Sequence, residues 1–289
     1  MLTNQEPYKK FVSFKILAYH GLGNQLFQYA VARSYAIKYD VPLILQGFQY
    51  HRLADFNINC HFVPFHDLNI IKKNNFYEKV PCYDKNLFRY KRRKYLIGFF
   101  QTEKYFLDNK NILMQELSLN DTSIINYCND YINLIRAKHP GKKIVSLHNR
   151  RGDNVPSQMD FNDRLEGSFL KDKALYHPLL SMEYIHSAMS YFKDEVFLVF
   201  SNNDDDVQWC ENNIIGDNIY FSKGHNDLID FSLMRICDHN IIANSTFSWW
   251  AAWLNKNPNK IIIAPKIWFG EAYSHINSTD LIPNSWIII

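Results

Sequence analysis

Apolar positions along this 289-residue chain fall into two alternating patterns. Short β-branched runs read as strands, and stretches with three- and four-residue spacing read as helices. Phe14–Tyr19 is the first predicted strand, and it runs into Gly21-Leu22-Gly23-Asn24-Gln25. A helix is predicted from about Asn24 to Tyr39, with Leu26, Phe27, Ala30, Val31, Ser34 and Ile37 on one face. Val41–Leu45 is then a second strand, and this order is that of a parallel α/β unit. Tyr95–Gln101 reads as another strand, Glu103–Phe106 starts a helix, and residues 108–138 read as helical. Lys138-His139-Pro140-Gly141-Lys142 is the clearest breaker. The domain boundary is placed there, giving an N-terminal α/β domain over 1–140 and a second over 141–289. In the second half, strands are predicted at Ile144–Leu147, Val196–Phe200, Ile219–Phe221, Ile241–Ala243 and Ile261–Ala264. Helices are predicted over Ser181–Phe192, Asp205–Asn213, Asp227–Asp238 and Trp249–Leu254. That is a Rossmann-like α/β domain, with the last helix a candidate to return to the first domain.

Polar residues gather where the second-half strands end. Ile144–Leu147 runs into His148-Asn149-Arg150-Arg151-Gly152-Asp153. On an extended segment His148 and Arg150 share one side, and Asn149 and Arg151 the other. Ligands of open α/β sheets sit outside the carboxyl ends of strands, and an arginine fork matches a phosphate well. The plain structural alternative is a surface turn with an internal Arg–Asp pair, but the density of chemistry in six residues favours a site. Asn244-Ser245-Thr246-Phe247-Ser248 also follows a strand and enters a helix. Its small hydroxyls suit both an N-cap and a phosphate cradle. The tryptophans Trp249 and Trp250 behind it read as core. Asp204-Asp205-Asp206 suggests a divalent-metal site, although acids in a helix's first turn are the simpler reading. Gly21-x-Gly23 lacks the third glycine of a dinucleotide fingerprint, because Leu26 stands there. It offers backbone N–H groups at a helix start, with Asn24 as the capping alternative.

Composition changes this picture little. Hydrophobic content is 47% and charged content 21%, as in an ordinary globular protein. A net charge of +3 is too small to argue for nucleic acid. The five cysteines contain no C-x-x-C, which favours a reducing compartment over a disulfide or zinc framework. No signal peptide or spanning apolar run is apparent, so a cytoplasmic protein is expected. Arg89–Lys94 carries five basic residues in six. A solvated face is the default reading of that run, with peripheral contact to an anionic membrane or a lipid-linked acceptor as the alternative.

Several segments together resemble the bacterial and animal α-1,2-fucosyltransferases that use GDP-L-fucose. They are Gly21–Ala30, Gly98–Phe106, His148–Asp153, Ser201 onward, and His239–Leu254, in family order and spanning nearly the whole chain. The resemblance implies a GT-B-like α/β architecture of two Rossmann-like domains facing a cleft, with acceptor binding in the N-terminal half and the nucleotide sugar in the C-terminal half. It implies inverting, metal-independent transfer of fucose to the 2-hydroxyl of a galactose-terminated glycan, as in O-antigen or lipopolysaccharide biosynthesis. Arg150 matches the arginine that holds the donor diphosphate. His148, Asp153, Asn244, Ser245, Thr246 and Ser248 match the remaining donor-cleft positions, with Phe247 among them and Arg151 beside them. Asn24, next to Gly23, matches an asparagine near the reaction centre. Asp153 and His148 are both candidates for the base. Asn203 and Asp204 both stand where a residue would read the nucleotide. The membrane anchor of animal members is absent, which points to a bacterial cytoplasmic form. Two other classes stay open: a metal-dependent transferase of another sugar nucleotide, and a non-catalytic nucleotide- or carbohydrate-binding protein.

Overall fold

The computed structural model describes residues 10–14, 16, 21–46, 52–63, 75–91, 94–151 and 173–289. Gly152 and Asp153, most of the predicted first strand beyond Phe14, and Arg92 and Arg93 of the basic run lie outside the described residues. The chain divides into two compact units, one of residues 1–120 with 277–283, the other of 121–276 with 284–289.

In the first unit β1 (Val12–Phe14) leads to α1 (Leu22–Tyr39), then to β2 (Ile44–Gln46) and β3 (His61–Val63). Later come β4 (Asn75–Tyr77), β5 (Lys94–Ile97) and α2 (Lys110–Glu116). All strand pairs are parallel, and the bridge Val12↔Leu43 ties the β2–β3 pair to β1. The spatial order is therefore β3-β2-β1-β5-β4, which reverses between β1 and β5. Helix α1 is buried almost all round, beyond the single stripe its periodicity predicts. Its inward polar groups are satisfied: Gln28 Nε2 donates to Gly98 O at 2.7 Å, and Arg33 pairs with Glu116 at 2.7 Å.

The second unit begins with α3 (Thr122–Lys138), followed by β6 (Ile144–His148), α4 (Lys173–Tyr176) and α5 (Met182–Ser190). Then come β7 (Val196–Phe200), α6 (Asp204–Asn213), β8 (Ile219–Phe221) and α7 (Asp227–Ile236). The unit closes with β9 (His239–Ile241), α8 (Thr246–Trp253), β10 (Ile262–Ala264) and β11 (Ile287–Ile288). The six strands are parallel in the order β11-β10-β9-β6-β7-β8. Renumbered within the unit this is the doubly wound 3-2-1-4-5-6 order, and the reversal falls between β6 and β9. Ligands of such sheets bind at that point.

Three sequence expectations need correction. The helix expected over 108–138 is two helices, because Asp121 caps a new one by accepting from Ser123 N at 2.8 Å. The contact boundary falls at 120/121 rather than at 138–142, because α3 packs on α7 and belongs to the second unit. The Lys138–Lys142 breaker is a helix-to-strand turn within that unit. No late helix returns to the first unit. Instead the segment 277–283 does so, with Asp280 accepting from Tyr83 N and pairing with Lys104, before the chain rejoins the second sheet as β11. No helix among the described residues is long and apolar enough to cross a membrane.

Trp249, Trp250 and Trp253 of α8 are fully or nearly fully buried, and Trp249 meets the Trp286 ring at 5.3 Å. We expect Trp249→Ala to cost about 3–5 kcal/mol in urea unfolding. Ile215→Ala, at a side chain 76% exposed, should stay within about 0.5 kcal/mol. Equal losses at both positions would contradict this packing.

Candidate active site

The reversal in the second sheet brings together two loops that are far apart in sequence. β6 ends at His148, and β9 leads through Ile242-Ala243-Asn244 into α8. His148 Nδ1 lies 2.8 Å from Ser248 Oγ, and its ring lies 5.9 Å from that of Phe247. The imidazole is only 5% exposed. Burial, with help from the Arg150 charge, pushes its pKa down to about 3. At neutral pH His148 is therefore an uncharged hydrogen-bonding group, much weaker as a base than its ordinary value suggests. Arg150 is half-buried and near enough for its charge to act on His148.

The alternation of strand residues continues past β6. Asn149 turns the other way from His148: it is buried, and its Nδ2 reaches Cys210 Sγ of α6 at 3.4 Å. Arg151 follows it to that side, its guanidinium 3.5 Å from the Trp209 ring centroid and its Nε 3.7 Å from Asp206 Oδ1. The Arg151 backbone N–H donates to Asn202 Oδ1 at 2.9 Å. The two arginines are thus distinct: Arg150 belongs to the His148 side, while Arg151 is clamped on α6. Trp209, Asn202 and Asp206 form that clamp, and sequence reasoning did not single them out for it. A tryptophan one turn into a helix that follows a polar strand end is the signal that could have found it.

The Asn244–Ser248 loop is organised from within. Ser245 caps α8 by accepting from Phe247 N at 3.3 Å, so the cap reading holds for this residue. Asn244 is buried, donates to Pro178 O and Trp268 O, and leaves its Oδ1 without a hydrogen-bond partner among the described residues. Thr246 and Phe247 are half-buried at the start of α8. Asn203 caps α6, its Oδ1 accepting from Asp206 N at 2.9 Å, and Asp204 Oδ1 accepts from Gly224 N at 3.1 Å. The aspartate run therefore forms the acidic first turn of α6. Among the described residues no group of three or more His, Cys, Asp or Glu side chains is arranged to hold a metal ion.

In the first unit, Gly23 is buried in the opening turn of α1, whose N-cap is Gly21 rather than Asn24. Asn24 Oδ1 instead accepts from Gln101 Nε2 at 2.8 Å, so the residues after β1 and β5 meet where that sheet reverses.

A family model described as Glycosyl transferase family 11 matches residues 3–289. The chain is 30% identical to an α-1,2-colitosyltransferase of Escherichia coli, over 93% of this chain and 96% of that protein. It is 29% identical to the O-antigen biosynthesis glycosyltransferase WbnK of Escherichia coli, over 84% of this chain and 76% of that protein. Galactoside α-(1,2)-fucosyltransferase 1 of Rattus norvegicus is 33% identical over 38% of this chain and 27% of its own length. Among solved structures, fucosyltransferase NodZ from Bradyrhizobium aligns with a TM-score of 0.46 at 14% identity, over 84% of this chain and 92% of that one. The sequence match, not the superposition, carries the family assignment.

The lowered pKa of His148 has a consequence for stability. The unfolded chain takes up this proton below about pH 6.5, whereas the folded chain does so only near 3. Stability from this group must therefore fall as pH drops from about 6.5 towards 3, by up to about 1.4 kcal/mol per pH unit. Urea unfolding of wild type and His148→Asn between pH 4 and 6.5 should show a shallower slope in the variant. Parallel slopes would contradict a neutral, buried His148.

Proposed function

The chain belongs to glycosyltransferase family 11, and on that premise we propose that it moves L-fucose from GDP-β-L-fucose to the 2-hydroxyl of a terminal galactose in a glycan. The observation that carries this reading is the convergence of Arg150, His148 and the start of α8 at the reversal of the second sheet. Departure of a nucleoside diphosphate builds negative charge on its phosphate oxygens. Arg150 can meet that charge with two parallel N–H donors, and the N-terminus of α8 adds aligned backbone dipoles. These positive groups make divalent metal unnecessary in this reading. His148, held neutral against Ser248, orients the strand end and offers Nε2 to the bound donor. The acceptor proton goes to Asp153 as the candidate base, with inversion at the anomeric carbon. Asp204 is favoured over Asn203 for reading the guanine edge: Asn203 Oδ1 already caps α6, whereas Asp204 has a second carboxylate oxygen to accept N–H groups.

A second donor is favoured by one observation, the similarity to a colitosyltransferase along nearly the full length of both chains. Colitose is L-fucose without its 3-hydroxyl. The two donors are separated by comparing kcat/KM for GDP-L-fucose and GDP-L-colitose on one galactoside. A strong preference for the second would replace fucose in this reading and leave the diphosphate chemistry intact.

Arg150→Ala should lower transfer roughly 100–1000-fold without altering the urea midpoint, and wild-type transfer should persist in EDTA. Near-normal activity in the variant contradicts the role of Arg150. Activity abolished by EDTA and restored by a divalent ion contradicts the metal-free reading. Linkage analysis of the product tests the 2-position.

A further inference from the structure

The first unit carries a strained turn at its own sheet reversal that its packing alone does not require. After β5 the chain passes through Gly98, Phe99, Phe100 and Gln101. Gly98 has φ +151°, and a Cβ there would lie 2.4 Å from Glu78 Cβ. Phe100 has φ +56°, a left-handed conformation that a bulky side chain seldom adopts. The turn is held by one carboxylate: Glu78 Oε2 accepts from Phe99 N at 2.7 Å, and Oε1 accepts from Phe100 N at 2.9 Å. Burial raises the Glu78 carboxyl above its ordinary range, and the two amides partly offset this. Phe100 is fully buried against Phe76 and Tyr105, whereas Phe99 beside it is 40% exposed. Gln101 then reaches Asn24 at 2.8 Å, leaving one amide NH2 and one carbonyl oxygen of the pair with no bond to each other.

Strain held by a dedicated clamp marks functional positions, and ligands of parallel sheets gather at such reversals. An exposed aromatic face with amide donors and acceptors close in sequence matches the chemistry of a pyranose, which has one apolar ring face and hydroxyls at its edge. We propose that the Gly98–Gln101 turn of the first unit is a sugar subsite, with Phe99 the stacking face for the acceptor galactose, Asn24 and Gln101 its hydroxyl partners, and Glu78 the positioning residue that holds the turn. The galactose identity rests on the proposed function. The subsite itself rests on the turn.

The test is saturation-transfer NMR on the full chain with methyl β-D-galactopyranoside and lactose, without donor, and with GDP titrated separately. Wild type should bind the galactosides, and Phe99→Ala should weaken them about tenfold while Phe99→Trp keeps them. Glu78→Gln should also weaken them, because an amide can accept through only one of its two end atoms; a rise in acceptor KM larger than any fall in kcat would mark a positioning role. Galactoside binding that Phe99→Ala leaves unchanged overturns the subsite. So does an absence of galactoside binding in a wild type that binds GDP. Phe99-dependent galactoside binding without GDP binding upholds the subsite and sinks the donor reading instead.

Discussion

The hydrogen bond between His148 Nδ1 and Ser248 Oγ joins motifs 100 residues apart in sequence. It exists because β6 and β9 are hydrogen-bonded neighbours even though two further strands intervene between them in sequence. Each strand alone delivers only a polar loop. Side by side at the reversal of the sheet, they place a positive side chain and a helix N-terminus at one end of the same core. Behind them the packing is continuous. Asn240 Nδ2 donates to Ser146 Oγ, Asn255 Nδ2 donates to Asn240 Oδ1, and the tryptophans of α8 seal the helix. Those buried amides are all paired, which fixes β9 and α8 in register with β6.

The electrostatics of the site follow from that packing. A buried imidazole beside a guanidinium cannot easily carry a second positive charge, so His148 stays neutral and Arg150 alone supplies charge on that side. Arg151 is removed to the other face by the two-residue period of an extended chain. There it is stacked on Trp209 and balanced by Asp206. Adjacent arginines thus have different duties for a purely geometric reason.

Much of this was legible in the chain. Strand and helix periodicity located the second unit closely, because its strands are buried on both faces and read as continuous apolar runs. The polar strand ends marked the site for the same reason. The first unit was harder to read. Its strands β3 and β4 are three residues long and partly exposed, and the clamp residue Glu78 is an isolated acid with no motif around it. The boundary at 120/121 was missed because Pro140-Gly141 is a stronger local breaker than Asn120-Asp121. Membership of α3 in the second unit is decided by its packing on α7, which no local signal reports. Strand β11 was written in Trp286-Ile287-Ile288-Ile289, but pairing so late in the chain depends on the tertiary return from 277–283.

The central claim is that Arg150 meets the diphosphate of the donor at the reversal of the second sheet. The most direct measurement is calorimetric titration of GDP and GMP into wild type and Arg150→Ala, at one salt concentration. The account predicts that wild type prefers GDP by about tenfold or more, the scale of one charge-assisted contact to the second phosphate, and that the variant loses most of that preference. An undiminished preference for GDP in Arg150→Ala would contradict it.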